Sequence, residues 1–216
     1  MKQNLTLELL RNEAQKFSNI GKHSEHSLYG ITDGKAVGTY LEHKFQKYLH
    51  QDYDYTEGSS AKGIDFPELM VDMKVTNIAQ PQSSCPFQSA RQKIYGLGYN
   101  LLVFVYEKED NHARRIGHLN ILHTIFIENY RTADFQTTTG INGILQNHGN
   151  KDDIRAFFEE RLLPVDEIQA NILAEEIISN PPAIGYLTIS NALQWRLQYS
   201  RVIQHSGTID GIMKVL

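Results

Sequence analysis

The feature of this sequence that most constrains its fold is an uninterrupted apolar run, LLVFVY, at residues 101–106. A strand that faces water on one side alternates apolar and polar residues, whereas a strand covered on both faces is apolar throughout. The segment 100–109 therefore predicts a strand buried inside a layered domain. Because the run is far too short to cross a bilayer, we expect no membrane association.

The segments around this run predict a mixed α/β core. Residues 36–50 follow the helical period, with Val37, Leu41 and Phe45 on one stripe and a start signal at Asp33. Further strands are predicted at 63–66, 69–76 and 114–128, and further helices at 4–17, 86–98, 151–163, 165–179 and 190–204. This order favours a mixed central sheet flanked by helices. We predict one domain over 1–216, with a catalytic core at about 36–128 and a helical part at about 150–216.

Charge and cysteine usage exclude several classes of protein. The net charge is −4 and the pI is about 6.1, whereas proteins that coat nucleic acid without sequence preference are usually basic. If the chain binds DNA, it must use a local basic surface, helped by metal ions. The single cysteine, Cys85, excludes an intrachain disulfide framework and most zinc sites. The N-terminal residues mix acids and bases without an apolar stretch, so we expect a cytoplasmic protein without a signal peptide.

Residues 63–76, GIDFPELMVDMKVT, carry the most informative polar pattern. Read as two strands around the turn Pro67-Glu68, they place Asp65 on the first strand and Asp72 and Lys74 on the second. Side chains alternate faces along a strand, so Asp72 and Lys74 project together, roughly 7 Å apart. Two carboxylates and an ammonium group then converge at one edge of the sheet.

Such a group of side chains suits the hydrolysis of a phosphodiester. Converging carboxylates repel one another unless a cation lies between them. Mg²⁺ takes hard oxygen ligands and is often held by one or two carboxylates together with substrate phosphate. The bound ion polarises a phosphate oxygen and acidifies a water molecule. Lys74 adds positive charge where negative charge develops, or orients the attacking water.

The pattern resembles the PD-(D/E)xK nuclease superfamily, the fold of most type II restriction endonucleases. Its acid followed by acid-x-Lys is matched by Asp65 and by Asp72-Met73-Lys74, and the acid on the preceding helix is matched by Glu42. The resemblance covers about residues 36–110. The sequence departs from the family in having Ile64 where a proline usually precedes the first acid, and in a short gap between the acids. Neither departure removes a chemical group.

This resemblance implies a restriction-endonuclease-like fold and a Mg²⁺-dependent, site-specific double-stranded DNA endonuclease. It implies that Asp65, Asp72, the Met73 carbonyl and Glu42 hold the metal, while Lys74 assists the attacking water. The expected products carry 5′-phosphate and 3′-hydroxyl ends. Palindromic sites usually require a homodimer, because two active sites must meet two strands. A cognate DNA methyltransferase is the expected genetic partner.

Two alternatives stay open at this point. Repair nucleases of the same superfamily often carry Gln-x-x-x-Tyr after the lysine strand, and here Gln92 and Tyr95 have a different spacing. A non-catalytic DNA-binding protein, in which the acid-x-Lys pair is incidental, is the second alternative.

The segment 77–93 follows the lysine strand and is rich in groups that contact bases or phosphates. The candidate DNA-binding residues in it are Ser83, Ser84, Gln88, Arg91 and Lys93. In the predicted helix 190–204, Ser190 is a candidate N-cap. Its Trp195, Arg196 and Arg201 offer a phosphate-facing surface, but packing of its apolar residues into the core is the favoured interpretation.

Overall fold

The structure, a computed structural model, describes residues 2–58, 63–85, 89–190 and 195–216. The chain forms two compact units. The first unit consists of Met1–Ser83, Asn100–Ile127 and Ile203–Leu216, and the second consists of Ser84–Tyr99 and Glu128–Val202.

Both units combine strands and helices. The strands are β1 Gln3–Asn4, β2 His23–Glu25, β3 Tyr53–Asp54, β4 Val71–Asn77, β5 Gln82–Cys85, β6 Asn100–Asn111, β7 Ile116–Ile127, β8 Thr188–Ile189, β9 Trp195–Gln198 and β10 Ile212–Lys214. The α-helices are α1 Leu7–Ser18, α2 Gly34–Leu49, α3 Arg91–Tyr95, α4 Phe135–Gln146, α5 Lys151–Glu160, α6 Glu167–Ser179 and α7 Ser200–His205. Short 3₁₀ helices lie at His26–Leu28, Pro67–Leu69 and Asn129–Arg131.

The main sheet of the first unit is built around the apolar run. Its strand order is β10-β7-β6-β4, and β2 also pairs with β7. Strand β6 runs antiparallel to β7 and parallel to β4. Residues 101–106 are at most 2% exposed, which confirms a strand covered on both faces. The sheet is mixed, as predicted, because one neighbour of β6 is parallel and the other is antiparallel.

Helix α2 packs against this sheet through its apolar stripe. The Asp33 carboxylate caps the helix by accepting from the Lys35 backbone N–H at 3.0 Å. Leu41 and Phe45 are fully buried, and the Phe45 ring lies 5.2 Å from the Phe104 ring of β6. Fully burying such a side chain contributes about 1.5–3 kcal/mol. The stripe therefore fixes α2 over the sheet and with it every polar group that α2 carries.

The second unit has its own apolar core, formed by α3 to α6. Ile141, Ile154, Phe158 and Ile177 are among its most buried members. Helix α5 begins with a capping box in which Asn150 and Asp153 exchange side-chain to backbone hydrogen bonds. Strands β8 and β9 pair antiparallel in the same unit.

Three predicted elements differ from the structure. Residues 63–66 do not form a strand, since Phe66 makes only a single antiparallel bridge with Val71. The predicted helix 86–98 is reduced to Arg91–Tyr95, and residues 86–88 lie outside the described part.

The third difference is in the predicted helix 190–204, which contains strand β9 before the short helix α7. The Ser190 hydroxyl accepts from the Arg196 backbone N–H at 3.0 Å, and residues 191–194, where the predicted helix would begin, lie outside the described part. Period-two burial explains the strand, because Trp195 and Leu197 are buried while Arg196 and Gln198 are exposed.

The fold class predicted from the sequence is confirmed: the chain is mixed α/β, with a central mixed sheet flanked by helices. The prediction of one domain over the whole chain stays a prediction. Within the described ranges, no helix is long and apolar enough to cross a membrane.

Candidate active site

Strand β4 separates its apolar and polar side chains between two faces, as the sequence predicts. Val71 and Met73 are at most 1% exposed and belong to the core under α1 and α2. Asp72 and Lys74 point to the opposite face. Asp72 is only 2% exposed, and the Lys74 side chain is 22% exposed. The strand therefore holds a carboxylate and an ammonium group side by side, with limited access to water.

Asp65 reaches this strand through a tight reversal of the chain. Phe66 and Val71 exchange two backbone hydrogen bonds, at 2.9 and 3.2 Å. Between them lie the 3₁₀ turn Pro67–Leu69 and Met70, which has a left-handed backbone conformation (φ 51°). The Asp65 carbonyl also accepts from the Gly58 N–H at 2.9 Å. Asp65 is thus fixed beside β4 without a second strand.

The Asp65 carboxylate binds the backbone of β4. Its Oδ2 accepts from the Met73 N–H at 2.8 Å. Among the described residues, no strand lies on this side of β4 beyond the Phe66–Val71 bridge. The N–H and C=O of one strand residue point to the same side, so the Met73 carbonyl also faces the free edge, towards Asp65. The Met73 carbonyl and the Asp65 carboxylate are therefore hard oxygen donors at the same edge of β4.

Asp72 and Lys74 form the central charge pair of the site. The Lys74 Nζ lies 2.6 Å from Asp72 Oδ2. This short contact makes the ammonium group the partner of a carboxylate oxygen that water does not reach. Burial raises the pKa of Asp72 to about 7, although the Lys74 charge lowers it. Burial lowers the pKa of Lys74, but the carboxylates of Asp72, Asp65 and Glu42 together raise it by more, so the ammonium stays protonated.

Glu42 joins this group from helix α2. It is half-buried at the border of the apolar stripe. Burial raises the pKa of Glu42, the Asp65 charge raises it further, and the Lys74 charge lowers it. These influences require Glu42 to lie near both side chains. The structure thus brings together Glu42, Asp65, Asp72 and Lys74, which the sequence singles out over 33 positions of the chain.

The donor set fits a hard divalent cation of the Mg²⁺ type. Within the described ranges, no three His, Cys, Asp or Glu side chains form a ready metal-ligand cluster. Mg²⁺ does not need one, since it is usually held by one or two carboxylates, water and substrate phosphate. Asp72 is a buried carboxylate whose pKa burial raises and the Asp65 charge raises further, and a divalent cation between the two carboxylates would offset both effects. Asp65, Asp72 and the Met73 carbonyl are the residues that would hold such an ion, with Glu42 beside them.

The predicted DNA-binding residues lie in varied surroundings. Ser83 is half-buried and Ser84 is exposed on β5. Arg91 begins α3, is ion-paired with Glu176 and lies over the Tyr95 ring. Lys93 is only 4% exposed, 5.9 Å from the Trp195 ring. Gln88 lies outside the described residues. Exposure favours a contact through Ser84, whereas Arg91 and Lys93 already have protein partners; the DNA-binding assignments stay predictions.

The sequence interpretation did not single out the basic residues of α2. His43, Lys44 and Lys47 follow Glu42 directly, and Glu42 is the sole acid of that helix. The signal available was this local excess of positive charge in a chain whose net charge is negative.

A mixed sheet whose edge strand presents carboxylates and a lysine to one side defines a protein suited to metal-assisted hydrolysis of phosphodiesters. The sequence model of the family "Type II restriction enzyme NspV" matches residues 4–214. The type II restriction enzyme NspV of Nostoc sp. (strain ATCC 29411 / PCC 7524) is 63% identical over 212 residues, which cover 98% of this chain and 96% of that protein. No solved structure matches the chain significantly.

The chain belongs to the NspV family of type II restriction enzymes. It is therefore an enzyme, a site-specific deoxyribonuclease, as the sequence predicts. Because the family match spans almost the whole chain, it includes both compact units.

Proposed function

We propose that the chain is a Mg²⁺-dependent endonuclease of the PD-(D/E)xK type that cleaves double-stranded DNA at one short sequence. The observation that carries this proposal is the buried Asp72–Lys74 pair beside the Asp65 carboxylate and the Met73 carbonyl. A buried carboxylate whose pKa is strongly raised, with a specific charge partner, is typical of a functional site.

In this proposal Asp65, Asp72 and the Met73 carbonyl hold Mg²⁺, and Glu42 supports the ion. When bound, the ion supplies positive charge that polarises the scissile phosphate and acidifies a water molecule. The reaction breaks a bond between phosphorus and the 3′ oxygen, and the expected ends are 5′-phosphate and 3′-hydroxyl.

Lys74 has two roles in this proposal. Without metal, its ammonium group compensates the charge of Asp72, 2.6 Å away. During cleavage it donates a hydrogen bond to the attacking water or to the phosphate, where negative charge develops. The low exposure of both side chains strengthens these interactions, because water screens them poorly.

We also propose that the protein acts as a homodimer in the cytoplasm, with a cognate DNA methyltransferase as genetic partner. One chain carries one Asp72–Lys74 pair, whereas a double-strand break requires cleavage of two strands, so two copies would supply the two active sites. Light scattering after size exclusion, with and without a cognate duplex, tests the dimer. A monomer mass under both conditions would overturn this part of the proposal.

The nuclease proposal is tested by cleavage of plasmid DNA with Mg²⁺ and with EDTA. Wild type is expected to give discrete fragments only with Mg²⁺, and a DNA ligase that needs 5′-phosphate and 3′-hydroxyl ends should rejoin them. Asp65→Asn is expected to lose cleavage, and thermal unfolding controls for its fold. Cleavage in EDTA, or ends that the ligase cannot join, would contradict the proposed chemistry.

A further inference from the structure

A groove with a volume of about 750 Å³ lies in the first unit, between the end of α1, strand β2 and helix α2. Its lining includes Lys22, Lys44 and Lys47 and a single carboxylate, Glu25. With its histidines neutral, the lining carries a net charge of +2, from three lysines and one glutamate, and Lys22 is in addition ion-paired with Glu109 outside the lining. The chain as a whole carries −4, so everything outside the groove carries −6. The groove is thus a local basic surface on an acidic protein.

The lysines of the groove differ in how they are held. The Lys44 Nζ lies 2.8 Å from the Tyr40 hydroxyl and 3.2 Å from Glu25. This fixes the ammonium group before any ligand arrives. Lys47 is exposed and makes no ion pair with any residue that the structure describes. Lys44 is therefore ordered in advance, Lys22 is paired with Glu109 at 2.8 Å, and Lys47 has its charge available to a partner.

Helix α2 connects the groove to the active site. Glu42 faces Asp65 and Lys74, and the next residue, His43, lines the groove. Lys47 is about 140° around the helix from Glu42 and about 7.5 Å further along its axis. Lys35, Lys44 and Lys47 leave this helix basic, with Glu42 as its one acid. The exposed side of α2 therefore leads from the catalytic carboxylates to the basic groove without crossing another negative charge of that helix.

We infer that this groove binds backbone phosphates of the DNA strand that is cleaved, on one flank of the scissile bond; the inference rests on the proposed nuclease function. An α-helix is roughly 10 Å wide, and one DNA strand presents a phosphate about every 3.4 Å along the duplex axis. A strand that crosses α2 from the active site thus places phosphates over the groove about three nucleotides away. Contacts of this kind position the duplex and carry no sequence information.

A repeating polyanion suits the groove better than a compact anion. Lys44, which is half-buried, and Lys47, which is exposed, lie about one helical turn apart, and Lys22 lies across the groove on the segment before β2. The imidazole of His23, at the base of the groove, is 3% exposed, and burial lowers its pKa to about 4. It is neutral at physiological pH and adds no charge for a small, deeply bound anion. The positive charge therefore lies at the rim, where a strand passes.

The test compares wild type with Lys47→Ala and with the double variant Lys44→Ala/Lys47→Ala. Lys214→Ala is the matched control, since Lys214 is an exposed lysine of the same unit on β10. Binding to a labelled duplex is measured by fluorescence anisotropy, with Ca²⁺ in place of Mg²⁺, across a series of salt concentrations. The duplex carries the sequence that the wild-type enzyme cleaves, and a second duplex of unrelated sequence is measured beside it.

The slope of log K against log[salt] should fall by about 0.9 for each phosphate that the protein no longer neutralises. We expect a decrease of about 0.9 for Lys47→Ala and about 1.8 for the double variant, equal on both duplexes, and no change for Lys214→Ala. The position of the cut should not change.

Several results would overturn the inference. If the salt slope of folded Lys47→Ala equals that of wild type, while wild type binds and cleaves DNA, the groove does not bind DNA phosphates. The proposed nuclease function is unaffected by that result. If inorganic phosphate raises the melting temperature of wild type but not of the double variant, and the DNA slope is unchanged, the groove holds a small anion instead. Failure of wild type to bind or cleave DNA refutes the proposed function itself.

Discussion

Replacing Asp72 with asparagine should abolish cleavage and yet make the metal-free protein more stable at alkaline pH. Burial raises the pKa of this carboxyl from 3.8 to about 7. At 1.36 kcal/mol for each tenfold change in the acid constant, ionised Asp72 costs the native state up to ~4 kcal/mol at pH 8. The neutral amide of Asp72→Asn avoids this cost, which already includes the attraction to Lys74. We therefore expect a net gain of ~2–4 kcal/mol.

The gain has a definite pH dependence. The pKa of Asp72 is raised in the folded protein, so the native state binds the proton more tightly than the unfolded chain. Wild type therefore loses stability through Asp72 as the pH rises from about 4 towards about 7. The difference between Asp72→Asn and wild type should therefore be large at pH 8 and small at pH 4.5.

Urea unfolding in EDTA at the two pH values measures this difference, and single-turnover cleavage with Mg²⁺ measures activity. Asp72→Glu, which keeps the charge but not the geometry, is the matched control and should gain no stability at pH 8. A folded Asp72→Asn that is less stable than wild type at pH 8 would show that ionised Asp72 does not destabilise the native state. Cleavage by that variant at a rate near that of wild type would show that the Asp72 carboxylate is not needed for catalysis.

Three further predictions concern single residues. Lys74→Ala should slow single-turnover cleavage by about 100- to 1000-fold or more, because it removes a donor at the developing charge, while Ca²⁺-supported DNA binding changes little; near-normal cleavage would remove Lys74 from the mechanism. Burial lowers the pKa of His23 to about 4, so wild type should lose up to ~3 kcal/mol of stability as the pH falls from 6.5 to 4. Urea unfolding of His23→Phe should not show that loss. Equal pH profiles of stability for the two proteins would contradict the prediction. Gly96→Ala should lower the free energy of unfolding by more than ~3 kcal/mol, because its methyl group would lie 2.3 Å from the Asn129 carbonyl oxygen at φ 96°. Gly98→Ala, at φ 93° with no atom within 4 Å, is the control and should cost only ~1–2 kcal/mol. Equal losses for the two variants would contradict the predicted clash.

The sequence predicted correctly those elements whose apolar and polar pattern shows directly which side chains are buried. The apolar run at 101–106 is covered on both faces, and Asp33 caps α2 where the sequence places the helix start. The alternation of Asp72 and Lys74 with Val71 and Met73 predicted the two faces of β4. These features need only periodicity and capping chemistry, which a sequence displays directly.

The remaining differences depend on partners distant in sequence. Leu197 fits both a helical stripe and a period-two strand, and only tertiary packing, which buries Trp195 beside it, selects the strand. Asp65 is held by the Met73 N–H and by Gly58, contacts that no strand pattern announces. The partner of Arg91 is Glu176, 85 positions away. No local signal could distinguish this ion pair from a free arginine that awaits DNA.

The most direct test of the active site is the sequencing of DNA ends after long DNA is incubated with Mg²⁺ and either wild type or folded Lys74→Ala. The proposed mechanism predicts that wild-type ends fall at one recurring short sequence and that Lys74→Ala yields almost no ends above the EDTA background. Ends scattered along the DNA would contradict site-specific cleavage. Recurring ends from Lys74→Ala at a rate near that of wild type would show that the Asp72–Lys74 pair is not the catalytic centre.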